Sequence, residues 1–145
     1  MENALAERFG GRVRLRVCGV LVENDAILLV KHIDLGQAGF LWNPPGGGAL
    51  FGESYEETLK REFLEETHLE IAPGRFLLFN EHIGNGIHAM ELFFEVKRIG
   101  GELSLGFDPE LSADQQLLKD LRFWSRKEIA VQPAFHFHKR LKEYF

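Results

Sequence analysis

A run free of glycine and proline extends from Glu53 to well past Glu66, behind glycines at positions 46, 47, 48 and 52, and it constrains this chain most. It predicts a glycine-rich loop feeding a helix. Ser54 is a strong N-cap residue and Glu57 follows at capping-box spacing, so the helix should run from about Tyr55 to Thr67. With 3.6 residues per turn, Glu62, Glu65 and Glu66 project from one side. Like charges so spaced repel, and acidic groups near a helix C-terminus face the negative end of the macrodipole. Lys60 and Arg61 are expected on other faces of the helix, so compensation should come from outside the chain. A hard divalent cation with oxygen ligands, Mg²⁺ or else Mn²⁺, suits three carboxylates. The bland alternative is a solvated acidic face.

The pattern is longer than an acidic pair. Gly47, five residues, Glu53, seven residues, Arg61-Glu62-Phe63, one residue and then Glu65-Glu66 closely resembles the Nudix box of the Nudix hydrolase family. Two positions depart from that box: His68 stands where a glycine is usual, and Phe63 where an aliphatic residue is usual. Neither touches the carboxylates. A histidine at 68 has to serve as a left-handed helix stop in place of glycine.

The resemblance implies an α+β Nudix fold, a mixed β-sheet sandwiched between helices, in a single domain over residues 1–145. It implies hydrolysis of the diphosphate linkage in a nucleoside diphosphate joined to another group, such as a nucleotide sugar or ADP-ribose. Metal ligands would be Glu62, Glu65, Glu66 and the Gly46 carbonyl, with Glu62 or Glu65 orienting or deprotonating water. Glu53 and Arg61 would form a structural pair fixing the loop that begins at Gly47. A late acidic residue often completes the site, and Glu110 is preferred over Asp114 for its reach; the alternative is a solvated loop. The rival from another class is a catalytically silent nucleotide-binding or regulatory domain of the same fold. A box that keeps all its glutamates favours the enzyme. An isomerase of this fold would need a catalytic cysteine, and Cys18, the one cysteine, lies in an apolar run that makes it a buried structural thiol. Two marks of particular substrates are missing: Gly84 stands where ADP-ribose hydrolases often carry proline, and no tyrosine of the dinucleoside polyphosphate type occurs nearby.

With 17 Lys and Arg against 22 Asp and Glu, the net charge of -5 argues against a broad nucleic-acid surface. A small anionic ligand carried by a metal remains compatible. The N-terminus lacks the features of a signal peptide and no run of about 18 apolar residues occurs. The expected location is the cytoplasm, without a membrane partner.

Elsewhere, 13–22 and 26–32 read as a β-hairpin about Glu23-Asn24-Asp25. Arg12, Arg14 and Arg16 alternate with apolar residues; they are either solvated or one of them reaches a substrate phosphate. Phe40 and Trp42 precede the Pro-Pro-Gly-Gly-Gly turn, where either ring would stack on a nucleobase or Trp42 would be core. A second hairpin is expected over 75–82 and 87–99, a strand over 118–124, and a capped helix after Ser125. From Pro133 the pattern reads as helix, with Phe137, Leu141 and Phe145 as a core or homodimer stripe. On such a helix His136 and His138 would point apart and share no ion.

Overall fold

The computed structural model describes residues 4–33, 35–106, 112–113 and 116–145. The class is α+β, as expected. A first, mixed sheet has the strand order β5-β1-β7-β6, from β1 (Val13–Val20), β5 (Gly46–Gly48), β6 (Leu69–Gly84) and β7 (Ile87–Gly101). β1 and β7 run parallel, whereas β1 pairs antiparallel with β5 and β6 with β7. In the second sheet β3 (Ala26–Ile33) is central. β8 (Leu118–Ser125) runs antiparallel along one edge, and β2 (Val22–Glu23) and β4 (Phe40–Asn43) share the other.

The first expected hairpin is thus only partly formed. Asn24 and Asp25 do turn the chain with φ of 51° and 60°, but only β2 pairs back onto β3. β1 stays in the other sheet beside β7. The reason is burial on both faces: Val17 and Leu21 belong to one core cluster, Cys18 and Val20 to another. A strand with two buried faces belongs in the interior of a sheet, with helix or sheet on each side. The second hairpin is longer than expected, and its two-residue turn, Asn85-Gly86, has positive φ at both positions, as a tight hairpin turn requires.

The helix of the glycine-rich segment, α2, spans Tyr55–Thr67. The Ser54 Oγ accepts from the Glu57 N–H, but the Glu57 carboxylate bonds the Ser54 hydroxyl rather than its backbone N–H, so half of the capping box forms. His68 ends the helix at φ 61°, ψ 17°, the left-handed stop its position demanded. Leu59 and Phe63 bury fully against the first sheet, each contributing roughly 1.5–3 kcal/mol by removal from water. Glu66 lies three residues beyond Phe63 on that same stripe, so the helix drives a carboxylate into the edge of the core.

The C-terminal segment differs from expectation. The helix α3 (Arg126–Ala130) carries a complete capping box from Ser125 and Glu128. After it come a 3₁₀ turn over Ala134–His136, an extended Phe137 and a short α4 (Leu141–Tyr144). Phe137 bridges to Trp42 alongside β4. Phe137 and Leu141 are core residues all the same, packed with Trp42 and Trp124. The competing influence is β4: a strand edge offers backbone partners that a solvated helix turn cannot, and the His138 N–H donates to the Trp42 carbonyl at 3.0 Å. No helix among the described residues is long and apolar enough to cross a membrane.

Candidate active site

A cavity of about 1030 Å³ opens between α2, the faces of β1 and β7, and the end of the β3–β4 pair. Glu62, Glu65 and Glu66 line it, as do Gly46 and Gly47. The three carboxylates expected on one side of the helix thus share one cavity.

Within the loop, Glu53 and Arg61 form a two-pronged pair at 2.7 and 2.9 Å, and Arg61 also donates to the Gly48 carbonyl at 3.0 Å. The Arg61 hydrogen bonds hold the Glu53 carboxyl down at about 2. Contrary to expectation, Arg61 does not point away from the acidic face. Its guanidinium reaches Glu62 Oε1 at 2.8 Å and Glu65 Oε2 at 3.4 Å. The long side chain, drawn sideways by Glu53, lies along the helix rather than straight out from it. Gly47 is required for a separate reason: a Cβ there would stand 2.4 Å from the Glu62 carboxylate.

Arg61 does not neutralise the site. Burial, then the charge of Glu62, lifts the Glu66 carboxyl well above its usual range, although the Gly46 N–H donates to its Oε2 at 2.8 Å. Burial likewise raises Glu62, against the pull of Arg61. Among the described residues no three acidic, histidine or cysteine side chains converge on one point as they stand. Glu66 Oε2 is engaged by Gly46 and Glu62 Oε1 by Arg61. The donor set nonetheless fits a hard divalent cation: it consists of carboxylate oxygens, and the buried one, Glu66, makes no ion pair with Lys or Arg among the described residues.

The facing wall holds a network that the sequence reading missed. Glu91 of β7 accepts from Arg16 at 3.1 Å, from the Asn80 amide at 2.9 Å and from His138 Nε2 at 3.1 Å. His138 Nδ1 accepts the Arg140 N–H at 3.3 Å, which leaves the ring proton on Nε2 to be donated to Glu91. Burial alone would raise Glu91. The His138 hydrogen bond, the Arg16 charge and the Asn80 amide outweigh it and hold the carboxyl at about 2. The available signal was a glutamate between Ala89 and Phe93 on an inward-facing strand stripe. His138 was set aside because its segment read as helix.

Among the described residues, the buried polar atoms on cavity-lining residues that lack a hydrogen-bond partner include His32 Nδ1, Asn43 Oδ1 and His82 Nε2. Burial brings His32 down to about 3, so its ring is neutral, 4.0 Å from Glu66 Oε1. Phe40 and Trp42 are not in the cavity. Strand alternation turns Leu41 and Asn43 inward and sends the two aromatics to the other face. There Phe40 packs on His136 and under Lys31, and Trp42 is 6 % exposed in the core. The expectation that they face a nucleobase is corrected accordingly. Glu110 and Asp114 lie outside the described residues. Cys18 is fully buried and its thiol is pushed up to about 12 by burial, as befits a structural residue.

The NUDIX domain model matches residues 12–145. The chain therefore belongs to the Nudix family. A NUDIX hydrolase from Nitrosomonas europaea is similar in structure, with a TM-score of 0.69 at 25% identity over 92% of this chain and 88% of that one. A MutT NUDIX hydrolase from Burkholderia pseudomallei has a TM-score of 0.68 at 22% identity over 84% of this chain and 89% of its own. A Streptococcus suis protein described as an ADP-ribose pyrophosphatase has a TM-score of 0.56 at 21% identity, covering 77% and 73%. Comparison with curated proteins gave no match. Nudix hydrolases generally use divalent metal ions and act on small nucleotide-derived substrates.

Proposed function

We propose that this chain hydrolyses the diphosphate linkage of a nucleoside diphosphate joined to a second group, a nucleotide sugar, ADP-ribose or a related nucleotide, with Mg²⁺ as its cofactor and Mn²⁺ as a substitute. The observation that carries this reading is the convergence of Glu62, Glu65 and Glu66 of α2 with Gly46 and Gly47 of the glycine-rich loop on one cavity, with Glu66 buried and raised by desolvation and then by the charge of Glu62. Glu62, Glu65, Glu66 and the Gly46 carbonyl would hold the cation. When bound, it supplies charge neutralisation at the diphosphate and an acidified water. Glu62 or Glu65 orients the attacking water and takes its proton. Arg61 and Glu53 fix the loop so that Gly46 and Gly47 stay against the helix. His32, Asn43 and His82 offer neutral donors and acceptors to the nucleoside end.

The experiment is a substrate panel with Mg²⁺: nucleotide sugars, ADP-ribose, dinucleoside polyphosphates and nucleoside triphosphates, with products separated chromatographically. Turnover of a nucleoside diphosphate derivative to a nucleoside monophosphate is expected. Binding of these nucleotides without turnover of any would overturn the reading in favour of a silent nucleotide-binding domain. Glu110→Gln in the same assay tests whether a late carboxylate takes part.

A further inference from the structure

β1 presents arginines at alternate positions to the cavity, and two of them differ in kind. Arg16 is committed: it binds Glu91 and also approaches the Gly46 carbonyl at 3.4 Å. Arg14, two residues earlier on the same face, is half-buried and makes no hydrogen bond or ion pair with any described residue. Among the described residues it stacks on the Phe9 ring, whose centroid lies 3.8 Å from the guanidinium carbon. That covers one π face and leaves the N–H edge unused, and a guanidinium carries five donors in a planar fork. The edge lies beside the box loop, since a Cβ on Gly48 would stand 2.7 Å from Arg14 Nη2.

The electrostatics of the position agree. Burial first, then the charges of Arg16 and Arg12, bring the Arg14 guanidinium down to about 10, with only partial relief from Glu62. A cation placed among cations, with no acceptor among the described residues and its stacking face filled, is held in place for an anion that those residues do not supply. Arg12, exposed at the same rim, adds a second positive charge toward the mouth of the cavity.

We infer that Arg14, seated on Phe9 and flanked by Arg12, is an anion subsite that takes a phosphoryl group of the ligand independently of the metal. Identifying that group as part of a nucleotide substrate rests on the function proposed above; the subsite itself does not. The consequence for substrate class is that ligands bearing more phosphoryl charge than the two groups of the scissile linkage are favoured. A nucleoside triphosphate, or a nucleoside diphosphate derivative with a further phosphate on its second moiety, fits better than a nucleotide sugar whose sugar carries no phosphate.

The test needs no hydrolysis. Isothermal titration of the full chain, in the presence of a chelator, with inorganic pyrophosphate and then tripolyphosphate reads metal-independent anion binding directly. Wild type should bind both, tripolyphosphate at least threefold more tightly. Arg14→Gln should weaken tripolyphosphate binding at least tenfold, with a melting temperature at or above that of wild type. Arg14→Lys, which keeps the charge but not the fork, should fall between them and serves if the glutamine variant does not fold. Absence of metal-free binding by wild type, or equal affinity in wild type and the Arg14 variants, overturns the subsite. If binding depends on Arg14 while the nucleotide panel shows no turnover, the anion site stands and the proposed hydrolysis fails. If turnover occurs but binding ignores Arg14, the reverse holds.

Discussion

Glu66 and Glu91 are equally buried, each 5 % exposed, on two walls of one cavity, yet they hold protons in opposite ways. Glu91 is ionised because three side chains donate to it, one of them the Arg16 cation. Glu66 is pushed toward its neutral form by burial and then by the charge of Glu62, and its only hydrogen-bond donor among the described residues is the Gly46 amide. Burial is thus not what separates them. The difference lies in whether the chain provides the counter-charge. Where it does, the carboxylate is part of the scaffold; where it does not, the carboxylate is available to something from outside. This contrast gives the box glutamates a physical meaning beyond their spacing.

The sharpest way to break the comparison is to remove the compensated member. Glu91→Gln leaves Arg16 buried without its counterion, and loss of one partner from a buried pair costs roughly 3 kcal/mol. The melting temperature should fall by about 10 °C, given roughly 3 °C per kcal/mol in a domain of this size. A loss within 2 °C would mean that Arg16 finds compensation elsewhere and that Glu91 is not the scaffold carboxylate described above.

Removing the uncompensated member should do the opposite to stability and far more to activity. Glu65→Gln and Glu66→Gln each take a charged ligand from the proposed cation site, so turnover should drop by about 100-fold or more. Metal-free Glu66→Gln should melt no lower than wild type, because its amide oxygen still accepts from Gly46 and the repulsion with Glu62 is gone. Wild-type rates in either variant would exclude the helix face as the cation site. Gly47→Ala is a milder intrusion: its methyl group would press on the Glu62 carboxylate. Displacement by about 1 Å is enough to cost roughly tenfold or more in rate, with the circular dichroism spectrum unchanged.

How much of this was legible in the sequence follows from the range of the forces involved. α2, its N-cap and its left-handed stop at His68 are local, and 3.6-residue periodicity placed Glu62, Glu65 and Glu66 together without tertiary information. The pairing of β1 with β7 is not local. It joins residues 75 apart, such as Arg16 and Glu91, and turn signals near Asn24 favoured the nearer partner. Strand parity decided the fate of Phe40 and Trp42: a position one residue either side of Leu41 faces the opposite way, and nothing in four residues indicates which face is wet. His138 was hidden for a third reason. Its segment follows helix-like spacing, but the free edge of β4 captures it, and that carries the imidazole to Glu91.

The smallest expected effect is also the most direct measure of the contrast, namely the pH dependence of stability. A carboxyl raised in the folded state binds its proton more tightly there than in the unfolded chain. Its favourable contribution is therefore complete below the unfolded value near 4.5 and is lost as pH rises through the higher folded value. Glu66 belongs to this kind. Glu91, held at about 2, belongs to the other: its contribution is present above about 4.5 and is lost only as pH falls through 2. Titrating His32 and other groups complicates the absolute curve, but they cancel in a difference between variants. Metal-free Glu66→Gln minus wild type should be a positive melting difference of a few degrees at pH 8, shrinking toward zero as pH approaches 4.5 and Glu66 gains its proton in both states. The corresponding difference for Glu91→Gln should stay negative and nearly constant over that range. Adding Mg²⁺ at pH 8 should raise the melting temperature of wild type more than that of Glu66→Gln, since the cation supplies the charge that Glu66 lacks. If the Glu66 difference instead grows as pH falls, the carboxylate is stabilised within the chain, and the distinction between the two walls disappears.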